Sequence, residues 1–84
     1  MNTAIKKELE KIIALQIEEG RDRRSRDRIT YWCERNSIEV CQAIYDRIAK
    51  AKTACEVRGQ YGDADNLGEL MDAAHEVMSE KMGN

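Results

Sequence analysis

Apolar side chains recur at helical spacing in three stretches of this chain. In the first, Ile5, Leu9, Ile12, Ile13 and Gln16 fall within an arc of about 100° at 100° per residue, and Leu15 and Ile17 flank that arc on opposite sides. Asn2 or Thr3 supplies an acceptor for the first-turn amides. Lys6, Lys7, Glu10, Lys11 and Glu18 take the other side. Lys7 and Lys11 form a repulsive i, i+4 pair, while Lys6 and Glu10 attract in the weaker of the two orders.

The second stretch is the clearest heptad pattern. Cys41, Ile44, Ile48, Ala51 and Cys55 alternate at spacings of three and four, broadened by Ile38, Val40 and Tyr45. Asn36 and Glu39 have capping-box spacing at its start, and Gly59 after Arg58 reads as its C-terminal stop. In the third, Leu67, Leu70, Met71, Ala74, Val77 and Met78 form a narrow stripe, with Asn66 and Glu69 repeating the capping-box spacing. Between the first two, residues 18–28 contain no apolar side chain, and Gly20 opens a run rich in arginine. The pattern predicts helices over about 3–19, 36–58 and 64–82, a hinge over 20–28 and one extra turn near 28–34. One all-α domain over 1–84 follows, a three-helix bundle or a helical hairpin with an N-terminal helix.

Composition adds an expectation about assembly. The chain has 84 residues with no Pro, no Phe and one Trp, so its core rests on Ile, Leu, Val and Met. Chains of this size bury only about 60% of their unfolded surface, and a homodimer that completes the core is expected. No apolar run approaches the ~20 residues of a membrane span. No signal-peptide pattern is present, and an odd count of three Cys fits a reduced, cytoplasmic setting.

The net charge of −2 hides a segregation. Residues 20–58 carry ten basic and six acidic side chains, whereas residues 59–84 carry one Lys and six acidic ones. Such asymmetry concerns association. Its centre is Arg21, Arg23, Arg24, Arg26 and Arg28, followed at once by Tyr31 and Trp32. Arginine forks suit phosphate and carboxylate alike, and the two aromatic rings suit stacking on bases. Asp22 and Asp27 dilute the charge, and a solvated, ion-paired segment, with pairing to the acidic third helix included, is the expected reading over nucleic-acid contact.

Other chemistry is thinly represented. Cys33, Cys41, Cys55 and His75 lack zinc-ligand spacing, and small buried thiols are the expected state of the three Cys. Asp63, Asp65 and Gly68 begin like a calcium loop, but Leu67 and Ala74 stand where oxygen ligands belong. His75 has no visible partner group for acid–base work. No metal, cofactor or catalytic set is therefore expected. The expected function is a non-catalytic protein–protein interaction module, a regulator, adaptor or inhibitor that masks a partner surface. Its size and style resemble those of accessory proteins of mobile elements. Its contacts are assigned to the arginine-rich segment with Tyr31 and Trp32. The alternative is nucleic-acid binding through residues 21–28.

Overall fold

A computed structural model describes residues 1–83 and is all-α, with helices α1 (Thr3–Glu19), α2 (Arg23–Glu34), α3 (Ile38–Val57) and α4 (Tyr61–Lys81). The count is four rather than three. The segment expected as a hinge over 20–28 is non-helical only at residues 20–22, and from Arg23 onward it is helix. Arginine favours helix, and the Asp22 side chain caps α2 by accepting from the Arg24 amide at 2.9 Å. The buried residues of α2 are only Ser25, Ile29 and Cys33.

α1 begins where its sequence indicates. Asn2 accepts from the Ile5 amide at 2.9 Å, and the buried residues are Ile5, Leu9, Ile12, Ile13 and Gln16. It ends at Gly20, whose φ of 85° lies in the left-handed region open to glycine. The start of α3 differs from expectation. Ser37, not Asn36, is its cap, accepting from the Val40 amide at 3.3 Å. Asn36 serves α2 instead, donating through Nδ2 to the Trp32 carbonyl at 2.7 Å. The neighbouring orphan carbonyls of α2 are also met: Cys33 O accepts from Cys41 Sγ, and Glu34 O accepts from Lys81 Nζ at 3.2 Å.

α3 and α4 form an antiparallel hairpin. Gly59, at φ 75°, closes α3: the Gln60 amide donates to Cys55 O at 2.8 Å and the Gly59 amide to Glu56 O at 3.0 Å. This paired closure is a Schellman motif. It delivers the chain directly into α4, which begins at Tyr61 with no side-chain cap. Asn66 thus lies inside α4, and its expected capping role is not used.

α4 is the helix on which the other three converge. Ala64, Leu67, Leu70, Ala73, Ala74, Val77 and Met78 are buried, and at 100° per residue they span about half of the helix surface. The stripe is wider than the expected one, because Ala64 and Ala73 are buried at its two edges. α2 runs in the same direction as α4: Arg26 meets Glu69 near one end, and Lys81 meets Glu34 near the other.

The core closes within one chain. Eighteen apolar residues are buried, and Ile48, Leu67, Leu70, Cys33, Cys41 and Cys55 are fully enclosed. The accessible surface of 5178 Å² equals the roughly 5,100 Å² expected of a folded monomer of this mass. The radius of gyration of 12.0 Å likewise matches the about 12 Å of a compact chain of this length. The helix beyond the expected three, α2, adds Ser25, Ile29 and Cys33 to the buried set. No described helix is long and apolar enough to cross a membrane.

Candidate functional site

The arginine-rich segment divides into arginines that hold the fold and arginines that do not. Arg26 is the first kind. Its Nη1 donates to the Glu69 carbonyl at 3.1 Å and lies 3.4 Å from the Glu69 carboxylate, and Nη2 donates to Glu76 at 3.1 Å. Arg21 reaches the same Glu69 carboxylate at 3.3 Å. Arg28 donates to Glu8 on α1 at 2.6 Å. That bond holds the Glu8 carboxyl below its ordinary value against the opposing effect of partial burial. The same bond raises Arg28. Elsewhere, Arg47 on α3 grips Glu10 on α1 through two hydrogen bonds of 2.8 and 2.7 Å. The basic middle and acidic end of the chain therefore complement each other inside the molecule.

Replacing Arg26 with Met is expected to cost about 1–2 kcal/mol. It removes three charge-assisted contacts from a side chain only about a third exposed, and among the described residues it leaves Glu76 without an ion-pair partner. Urea unfolding of the variant measures this, and the loss should shrink as salt is added. A change under about 0.3 kcal/mol would show that the cluster is solvated and structurally idle.

Arg23 and Arg24 are the second kind. Both are exposed and occupy the first two positions of α2. Arg24 has only Asp22, its neighbour in the chain, at 3.8 Å, with its side chain 91% exposed. Among the described residues Arg23 has no ion-pair partner.

The two aromatic residues of the segment are less available than their order in the chain suggests. Trp32 packs against the core, and its buried Nε1 has no partner in full hydrogen-bond geometry. Tyr31 meets Trp32 edge to face at 5.2 Å, and the guanidiniums of Arg28 and Arg35 lie 4.6 and 3.8 Å from its ring centre. A base stacking on Tyr31 would have to compete with these cations.

Between α1 and α2 lies a groove of about 590 Å³, which the arginine cluster alone does not reveal. Ala4, Ile12 and Leu15 supply its apolar floor, and Lys7, Lys11 and Arg24 stand along it. Leu15 is 40% exposed. The repulsive Lys7–Lys11 pair and the flanking position of Leu15 are the local signals that mark this side of α1.

The remaining chemistry is quiet. Cys33, Cys41 and Cys55 are free and buried. Burial pushes the Cys33 thiol up from 9.0 to about 12, and the adjacent Cys41 thiol adds to the rise. His75 is exposed on α4. Among the described residues, no three His, Cys, Asp or Glu side chains are grouped to hold a metal ion. Comparison with protein-family models, curated proteins and solved structures finds no match.

Proposed function

We propose that this protein is a non-catalytic interaction module that binds a protein partner through the exposed start of α2. By covering the partner's surface it would act as a regulator, adaptor or inhibitor. The observation that carries this reading is the placement of Arg23 and Arg24. Cations in a first helical turn oppose the helix dipole, where Asp or Glu would stabilise by about 0.3–1 kcal/mol each. These two are exposed and unattached to any other helix. Apart from arginine's general helix preference and the local contact of Arg24 with Asp22, the fold uses neither side chain, and a local rule broken with so little structural compensation favours a functional assignment.

Protein is favoured over nucleic acid because Arg21, Arg26 and Arg28 already face carboxylates. Phosphates would have to displace Glu69, Glu76 and Glu8, which themselves repel a polyanion. A homodimer remains part of the proposal, with exposed Leu15, Val57, Tyr61 and Met82 as apolar side chains that a second copy could cover.

The test is the double variant Arg23→Glu, Arg24→Glu. Its circular dichroism should match the parent, with a melting temperature equal or slightly higher, because the charge reversal suits the dipole. Capture of a protein partner from extract should fall at least about tenfold and be insensitive to nuclease. Unchanged capture would refute the reading. Nuclease-sensitive capture, with a mobility shift of nucleic acid at about 50 mM salt, would install the nucleic-acid alternative. Collapse of helicity would make these arginines structural.

A further inference from the structure

We infer that the α1–α2 groove is the seat of an acidic amphipathic helix from the partner; this rests on the interaction-module reading and specifies its occupant. The floor from Ala4 to Leu15 runs along one side of α1, a span of about 16 Å, or three helical turns. An occupant helix presents apolar side chains at i, i+4 and i+7 to such a floor. Leu15, at 40% exposure, is the open apolar contact at one end.

Charge decides the occupant's chemistry. Of the carboxylates lining the groove, Glu8 is engaged by Arg28 and Asp22 caps α2, which leaves Glu19 at the far end. Lys7 and Lys11 have no carboxylate partner among the described residues. They stand one turn apart on the same side of α1, repelling each other, and Arg24 of α2 lines the same groove. An anionic helix edge laid between them relieves that repulsion and replaces it with attraction. A second copy of this chain fits less well. The exposed apolar side chains of α4 are confined to its ends, Tyr61 and Met82, and the acidic stretch between them has its apolar stripe buried in its own core, so it offers no run of anchors at i, i+4 and i+7.

The experiment is an NMR titration of the ¹⁵N-labelled full chain with a synthetic helical peptide of about 15 residues. The probe carries Leu at i, i+4, i+7 and i+11 and Glu beside them. Its control has every Glu replaced by Lys. Shifts should concentrate at Ala4, Lys7, Lys11, Leu15 and Arg24, with the acidic peptide at least about tenfold tighter than the basic one. Lys11→Glu, an exposed substitution, should weaken the acidic peptide about tenfold while leaving the rest of the spectrum intact. No shifts near about millimolar peptide, shifts at another face, or equal affinity for both peptides would overturn the inference. Self-association of the free chain that broadens these same amides would overturn it in favour of a second copy. Capture sensitive to Arg23→Glu, Arg24→Glu together with a silent groove would leave the module reading standing and remove only this one.

Discussion

Ile48→Ala should lower stability by about 2–5 kcal/mol, since it deletes three carbons from a side chain with no solvent exposure. Ile48 lies midway along α3, in the antiparallel hairpin with α4. The neighbours of such a site cannot collapse into the space without giving up their own contacts. A chain of 84 residues holds about 4–13 kcal/mol in total. The variant would thus lose a large share of it, with a fall in melting temperature of about 10–20 °C or more. Thermal and urea melts followed by circular dichroism measure the change. Val57→Ala is the reference, because Val57 is 82% exposed and should stay within about 0.5 kcal/mol of the parent. Similar losses at both sites would show that the interior is not fixed by packing.

The second large effect is a loss of stability in alkali. Burial raises the Cys33 thiol to about 12, with its neighbour Cys41 contributing. In the unfolded chain it ionises near the ordinary 9.0. Between these values the folded state holds a proton that the unfolded state has released, so rising pH favours unfolding. The stability is fully present below about pH 9 and declines by about 1.4 kcal/mol per pH unit toward about pH 12. Urea midpoints taken from pH 8 to 10.5 should fall more steeply for the parent than for Cys33→Ala. The cavity left by Ala lowers stability at every pH without changing the slope. Parallel curves would refute the assignment. The same shift leaves a thiolate fraction at pH 8 about a thousandfold below that of an ordinary thiol, so alkylation should require unfolding.

How far these properties can be read from the chain depends on how local their causes are. The buried face of α1 follows from spacing alone, as do the heptad of α3 and its stop at Gly59, because each rests on residues within one helix. α2 is different. Its three buried side chains include a serine and a cysteine, so its apolar signal is too sparse to separate a helix from a hinge. Asn36 and Asn66 have the spacing of caps, yet one is drawn to the Trp32 carbonyl. The other sits within α4, its carbonyl accepting from the buried Gln16 at 2.7 Å. The arginine cluster is plain in the sequence. Which arginines are engaged is not, because their carboxylates lie 20 to 50 positions away. The groove is legible only after α2 exists as a helix to form its second wall.

The convergence of the other helices on α4 bears on the order of events during synthesis. α4 follows α1, α2 and α3 in the chain, so the first three helices emerge from the ribosome before the surface they pack against. Until it arrives, Ile29, Ile44 and Ile48 lack their main cover, and Arg21 and Arg26 lack Glu69 and Glu76. Both groove walls, α1 and α2, also pack on α4, so they gain part of their support only when it arrives. A partner that reads the assembled groove, as proposed, would therefore favour chains whose translation has passed α4, and nascent chains stalled before that point would be matters for chaperones.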